Sequence, residues 1–277
     1  MSLSLPKLPP KLRLPATVLG LAIIVAGSIW SISGLGITWS DTRPGPLLLN
    51  LMVVQPLILA IASATLSLSA RAIGSTVGFR GGLTTVAYAT LAEVLPLPGG
   101  ALVRGAALMK SGATLRDATS IVTVTAVMSL ALLVSLSAAA LAMLGTAQAW
   151  IVVAPSLAAL VISLEFVRRR AGLRLTLAML AIRIVTAAAG AGSVYLALAA
   201  LSEPAGLLEA ALLTTSASLG TAVAIVPAGL GIGEAIAAAL ATLTSVPPEA
   251  AFLAVALHRA LGLIASLGVV TLKRLRG

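Results

Sequence analysis

The sequence predicts an all-α integral membrane protein with about six full transmembrane helices and two re-entrant helical hairpins. Of the 277 residues, 59% are hydrophobic and only 9% are charged, whereas soluble domains have about 25% charged residues. The apolar residues form continuous runs, which disfavours a β-barrel, because barrel strands alternate apolar and polar residues. We therefore expect residues 1–277 to form a single transmembrane domain.

Six apolar runs are each close to the length of about 20 residues that spans a bilayer. The first run follows Lys7, Lys11 and Arg13 and is longer than the core of a cleavable signal peptide, which has about 7–15 residues. We therefore expect it to be retained as the first span. The six predicted spans are 14–37, 47–70, 118–144, 150–167, 175–201 and 250–272.

Two further pairs of apolar runs are interrupted by proline and glycine. Runs 83–95 and 101–109 meet at the sequence PLPGG (96–100), and runs 207–226 and 232–243 meet at PAGLGIG (227–233). Such sequences end one helix and start another. Each backbone N–H or C=O group that lacks a hydrogen bond in lipid costs several kcal/mol. We therefore expect both breaks to line a cavity. The alternative is that these residues only allow close helix packing.

The positions of the basic residues predict the orientation. With the N-terminus inside and each hairpin returning to the face it entered, most of the 18 Lys and Arg residues lie at cytoplasmic ends, as the positive-inside rule requires. This assigns both termini to the cytoplasm and the protein to the plasma (inner) membrane. The halves 1–145 and 147–277 then have the same order of segments in opposite directions, which predicts an inverted-topology repeat with a site near the membrane midplane.

Several functional classes are disfavoured by the sequence. The formal net charge of +10 is explained by the basic ends of the spans, so we expect no nucleic-acid partner. The chain has no cysteine and one histidine, and it contains no nucleotide-binding or hydrolase motif. We therefore expect no enzymatic activity, no metal and no cofactor.

Five charged residues fall inside or beside the apolar runs: Glu93, Arg104, Arg183, Glu234 and Arg259. A charge at membrane depth costs about 2.5–3.5 kcal/mol on insertion scales, so it is usually paired or functional. Glu93 and Arg104 flank the first break and are close enough in sequence to pair. We expect the five residues either to surround one polar cavity or to form separate structural salt bridges.

The start of a helix carries partial positive charge that suits an anion such as a lipid phosphate. Helices start near Gly100 and Gly233, directly after the two breaks. His258 neighbours Arg259 but points about 100° away around the helix, so it is either a satisfied polar residue or a proton relay. The predicted substrate-binding residues are Glu93, Pro96, Gly99, Gly100, Arg104, Arg183, Pro227, Gly229, Gly231, Gly233, Glu234 and Arg259.

Both breaks resemble motifs of one protein family. The stretch 96–104, LPG-like and ending at Arg104, is similar to a signature of the flippase-like family that includes the lysylphosphatidylglycerol synthase transmembrane region. The stretch 226–234, ending at Glu234, and Arg259 in the last span also look like that family's pattern. We expect a stand-alone membrane module without the soluble aminoacyl-transfer domain.

The resemblance implies translocation of an anionic phospholipid or polyprenyl-phosphate-linked headgroup between leaflets. Membrane lipids are then the expected partners, with enzymes of envelope-lipid or glycolipid synthesis as further candidates. In this hypothesis Arg104 and Arg259 neutralise phosphate, while Glu93 and Glu234 tune that charge. Two other functions stay open, namely secondary transport of a small solute and a non-transporting scaffold for an envelope-lipid pathway.

Overall fold

The computed structural model describes residues 10–36, 42–94, 99–143, 145–223, 229 and 231–276. Within these ranges every regular element is a helix, which confirms the all-α prediction. A π-helical turn, Asn50–Val54, joins α2 to α3, and a short 3-10 turn precedes α7. The helices are α1 (Pro10–Leu35), α2 (Pro44–Leu49), α3 (Gln55–Ala72), α4 (Phe79–Ala92), α5 (Gly99–Lys110), α6 (Leu115–Met143), α7 (Trp150–Ala200), α8 (Leu207–Val223), α9 (Ile232–Ala241) and α10 (Pro248–Arg276).

Four helices in the described part of the chain are long and apolar enough to cross a membrane. Each contains an apolar stretch of 18 residues with at most two charged residues, and large apolar side chains such as Ile162 and Leu177 of α7 are exposed. Exposed apolar surface of this kind suits lipid rather than water, so the chain is a membrane-embedded protein. The four helices are Pro44–Ala72, Leu115–Met143, Trp150–Ala200 and Pro248–Leu275.

The helix α7 is 51 residues long, which exceeds the length of about 20 residues needed for one span. It is broken at Gly172, which has φ 80° and ψ 168°, a backbone conformation that favours glycine. The two arms, 150–171 and 173–200, are each about one span long. The sequence predicts a basic loop between two spans at this position, and the structure has a kink at one glycine instead.

The predicted hairpin arms are short helices that pack in pairs, α4 against α5 and α8 against α9. Helices α4, α5 and α9 have 14, 12 and 10 residues. At 1.5 Å per residue they are about 15–21 Å long, which is less than the bilayer core of about 30 Å. The tips of both hairpins, 95–98 and 224–228, lie outside the described residues.

Helix α10 lies between the two hairpins and contacts α4 on one side and α9 on the other. Buried residues form two cores, one among α3 to α7 and one among α7 to α10. Met179 belongs to the first core and Val194 to the second. The second arm of α7 therefore connects the two cores, and it positions the residues described next.

Candidate functional site

A cavity of about 150 Å³ lies among α3, α6, α7, α8 and α10. It has room for a few water molecules, each of which takes about 30 Å³. More than half of its lining side chains are polar, although all five helices are rich in apolar residues. The lining residues are Ile58, Ser129, Leu133, Arg183, Thr186, Ala187, Gly190, Thr214, Ala217, Ser218 and His258. We call this space the Arg183 cavity.

Arg183 is the charged residue in the lining of this cavity. Its Nε atom is shielded from solvent and makes no hydrogen bond in the described part of the protein. Arg104 of α5 lies near enough for its positive charge to act on Arg183. A guanidinium carries five N–H donors, and a second cation nearby adds to the positive potential. The arrangement therefore favours an anion as the missing partner of Arg183.

The first hairpin contains a partly exposed ion pair at its break. Arg104 Nη2 donates to Glu93 Oε1 across 3.1 Å, and the two side chains are 37% and 34% exposed. A Cβ placed on Gly100 would overlap the Glu93 carboxylate, so this carboxylate lies against the first turn of α5. A protein carboxylate therefore occupies the helix start at which the sequence predicts an external anion.

A buried ion pair connects the second hairpin to α10. Arg259 Nη1 donates to both Glu234 oxygens, at 2.9 and 3.1 Å, and these side chains are 16% and 1% exposed. Glu234 Oε2 also accepts the Gly231 N–H at 2.8 Å, and Arg259 Nη1 donates to the Gly229 carbonyl at 3.2 Å. The pair therefore fastens α10 to the start of α9, and Glu234 is both a helix-start carboxylate and an ion-pair partner.

The glycines at the two breaks allow close backbone contact. A Cβ on Gly99 would overlap the Ala92 carbonyl of α4, and a Cβ on Gly229 would overlap the Gly220 backbone of α8. Gly233 packs against the backbone of α8 near Ser216. These contacts support the packing interpretation of the glycines. The other predicted residues of the breaks, Pro96 and Pro227, lie outside the described residues.

The five charged residues predicted to act together form two ion pairs and one separate arginine. The structure brings Arg104 near Arg183 but places Glu93, Arg104, Glu234 and Arg259 outside the lining of the cavity. The first pair joins the end of α4 to α5, and the second joins the start of α9 to α10. Arg183 is thus the predicted site residue that lines this cavity.

A buried polar network next to the cavity is absent from the sequence-based prediction. Gln55 Nε2 donates to Ser193 Oγ at 2.9 Å, Asn50 Nδ2 donates to the Ser193 carbonyl at 2.8 Å, and Ser193 Oγ contacts His258 Nδ1 at 2.7 Å. Asn50 and Gln55 are five residues apart and would point about 140° apart on an α-helix. The π turn brings them within 3.3 Å. Two amides within one apolar run are the sequence signal that indicates this network.

A second, larger depression of about 560 Å³ lies where α7 ends and α8 begins. Its lining includes Arg43, Tyr195 and Glu209. Glu209 accepts hydrogen bonds from the Ser245 hydroxyl, the Ser245 N–H and the Gly206 N–H. Burial raises the pKa of the Glu209 carboxyl, but these hydrogen bonds outweigh burial and hold the pKa below its ordinary value of 4.5. Glu209 thus joins the start of α8 to the chain after α9.

Comparisons with protein-family models, with curated proteins and with solved structures give no match to this chain. The function proposed below therefore rests on the residues and geometry of the chain itself.

Proposed function

We propose that this protein is a lipid flippase-like translocator that carries an anionic phospholipid or polyprenyl-phosphate-linked headgroup between leaflets. The observation that carries the proposal is Arg183, which lines a cavity between apolar helices and whose shielded Nε atom makes no hydrogen bond within the described part of the protein. The proposal includes both termini in the cytoplasm, the inverted repeat and the two re-entrant hairpins. Its partners are membrane lipids and enzymes of envelope-lipid or glycolipid synthesis.

The energetics of Arg183 explain why an anion belongs there. A charge at membrane depth costs about 2.5–3.5 kcal/mol, and Arg104, the nearby cation, already has Glu93 as its partner while Arg183 lacks such a carboxylate in the described part of the protein. A phosphate bound beside Arg183 offsets this cost and accepts charge-assisted hydrogen bonds, which are about twice as strong as neutral ones. The acyl or prenyl chains remain in lipid, where burial requires no protein cavity.

The two ion pairs have a supporting part in this mechanism. Each arginine already contacts a carboxylate, so a headgroup that binds at Arg104 or Arg259 has to compete with Glu93 or Glu234. Exchange of a carboxylate for a phosphate is easier at the partly exposed first pair. We therefore place the first contact of the headgroup at Arg104 and the passage of the headgroup at Arg183.

One observation favours the scaffold alternative. A non-transporting scaffold predicts internally paired charges at both hairpins, and the structure shows both pairs. A scaffold gives no reason for an unpaired arginine in a polar cavity. The behaviour of Arg183 variants therefore separates the two functions.

The experiment is a leaflet-resolved translocation assay with the purified protein in vesicles that contain fluorescent phosphatidylglycerol. We expect Arg183→Gln to abolish protein-dependent translocation and Arg183→Lys to retain part of it, because lysine keeps the charge but loses the planar donor set. Arg174→Gln is the matched control, since Arg174 is an exposed arginine on the same arm of α7. Unchanged translocation in folded Arg183→Gln protein would contradict the proposal, and absence of translocation by the wild-type protein would favour the scaffold.

A further inference from the structure

His258 lines the Arg183 cavity from α10, and one of its ring nitrogens is fixed by the buried network. Its Nδ1 atom lies 2.7 Å from Ser193 Oγ, while Nε2 makes no hydrogen bond to the part of the protein that the structure describes. Arg183 lines the same cavity from α7. The imidazole therefore has one nitrogen that contacts Ser193 and one nitrogen without a partner among the described residues, in a cavity that Arg183 also lines.

The hydrogen bond from Ser193 Oγ to Asn50 Oδ1 favours one of the two neutral forms of His258. Ser193 has one hydroxyl proton, and Asn50 Oδ1, an acceptor without a proton, lies 2.9 Å from Ser193 Oγ. Ser193 Oγ also accepts from Gln55 Nε2. When Ser193 donates to Asn50, the arrangement that satisfies every group has His258 Nδ1–H donating to Ser193. Neutral His258 then has its lone pair on Nε2.

We propose that His258 Nε2 takes up one proton when an anionic headgroup binds in the Arg183 cavity, so that anion binding is coupled to protonation. The inference rests on the proposed function, because it adds a second ion to the same site. The proton comes from bulk water and forms an N–H bond at Nε2, the neutral imidazole becomes imidazolium, and no other bond changes. The new N–H is a donor for the bound phosphate.

The charges around His258 explain why the two events are coupled. Burial of the imidazole disfavours its charged form, and Arg259, the next residue on α10, repels a second positive charge there. A bound phosphodiester cancels this repulsion and attracts the imidazolium, which favours protonation. By linkage, protonation must favour anion binding to the same extent. The affinity for the anion is therefore expected to rise as the pH falls.

The other ionisable groups on the helices around α10 either form ion pairs or lie outside the cavity lining. Glu234 of α9 is held by Arg259, the sequence neighbour of His258, and Glu93 at the end of α4 is held by Arg104. Other charged side chains on α10 and on the described helices packed against it do not line the cavity; they are Arg71 on α3, Arg80 on α4, Glu165, Arg168, Arg169, Arg170 and Arg174 on α7, Glu209 on α8, and Glu249, Lys273 and Arg274 on α10. Arg183 and His258 are the ionisable side chains in the cavity lining itself.

The test is calorimetric titration of dioctanoyl phosphatidylglycerol into the protein in phosphatidylcholine nanodiscs, with empty nanodiscs as the blank. The phosphodiester has no proton that titrates near neutral pH, so any proton taken up belongs to the protein. The titration is run at one pH in two buffers of different ionisation enthalpy. We expect the heats to differ by an amount that corresponds to net proton uptake, with affinity rising by at most about tenfold per pH unit as the pH falls.

The variants distinguish this inference from the proposed function. We expect His258→Gln to lose the difference between buffers and the pH dependence of affinity, and Arg174→Gln to retain both. Equal wild-type heats in the two buffers would overturn the coupling while leaving anion binding intact, and so would proton uptake that persists in His258→Gln. Absence of phosphatidylglycerol binding to the wild-type protein would overturn the coupling and the proposed function together.

Discussion

The two hairpins, α4–α5 and α8–α9, have the same local design but differ in burial. In each hairpin a carboxylate lies beside the start of the second helix and pairs with an arginine, which belongs to α5 in the first hairpin and to α10 in the second. The Glu93–Arg104 pair is more than one-third exposed, whereas Glu234 is 1% exposed and Arg259 is 16% exposed. Glu234 also accepts a backbone N–H, and Arg259 binds a backbone carbonyl.

This difference teaches that similar motifs have different physical roles. The buried pair fixes the second hairpin against α10, since Arg259 Nη1 contacts both Glu234 oxygens and the Gly229 carbonyl. The exposed pair costs less to separate, because solvent reaches more than one-third of each side chain. The first hairpin is therefore the one that can exchange its internal carboxylate for an external anion.

Glu234→Gln is expected to have the largest effect on stability. It removes the charge of one partner of a buried ion pair, and removal of one partner of a buried pair costs about 3–5 kcal/mol. The free energy of unfolding in detergent, measured by denaturant titration, checks this value. The double variant Glu234→Gln with Arg259→Met is the control and should recover a large part of the loss. A loss below about 1 kcal/mol, the range of exposed pairs, would contradict the contrast between the hairpins.

Gly99→Ala is expected to have the next largest effect. The added methyl group would overlap the Ala92 carbonyl where α4 and α5 meet, and overpacking of this kind costs about 1–3 kcal/mol. Gly105→Ala on the same helix is the matched control, because no atom lies within 4 Å of its Cβ position. We expect the control to be neutral or slightly stabilising in the same unfolding measurement. Equal stability of Gly99→Ala and Gly105→Ala would show that the arms of the first hairpin are not closely packed.

The sequence predicts much of this fold because the apolar runs are long and the breaks are marked by proline and glycine. It also indicates the Glu93–Arg104 pair, since both residues flank the same break. The Glu234–Arg259 pair joins residues of different helices, and its exact partners depend on how α9 packs against α10. The network at Asn50 depends on a π turn, which residue spacing on a regular α-helix does not predict. Likewise, only packing shows that Arg183 lacks a partner.

Glu209→Gln tests the open end of the second hairpin, where Glu209 binds Ser245 and Gly206. Glu209 lies outside the four candidate spans. Since its folded pKa is lowered from 4.5, its charged form stabilises the fold above that pH, and this contribution is lost as the pH falls through the folded pKa. We expect the variant to lose about 1.5–3 kcal/mol at neutral pH, the range for hydrogen bonds to charged groups.

The measurement for Glu209→Gln is the difference in unfolding free energy from wild type across pH. This difference should be full at neutral pH and should shrink below pH 4.5, because the wild-type carboxyl then also loses its charge. A difference that stays constant down to strongly acidic pH would mean that the charge of Glu209 does not stabilise the hairpin.

Glu93→Gln is expected to have the smallest effect on stability. Pairs with this degree of exposure contribute about 0.2–1 kcal/mol, and the Arg104 side chain reaches solvent after the change. In contrast, the rate of lipid translocation should change, because Arg104 loses the carboxylate that competes with the headgroup. Unfolding and translocation measured on one preparation check both expectations. A stability loss as large as that of Glu234→Gln would remove the distinction between the two pairs.

The central claim is that Arg183 binds the anionic headgroup, and a cryo-electron microscopy structure of the protein in nanodiscs with phosphatidylglycerol tests it most directly. We expect density for a phosphate group within hydrogen-bonding distance of the Arg183 guanidinium, with the Glu234–Arg259 pair unchanged. A cavity that holds only water while the lipid phosphate lies elsewhere would contradict the claim.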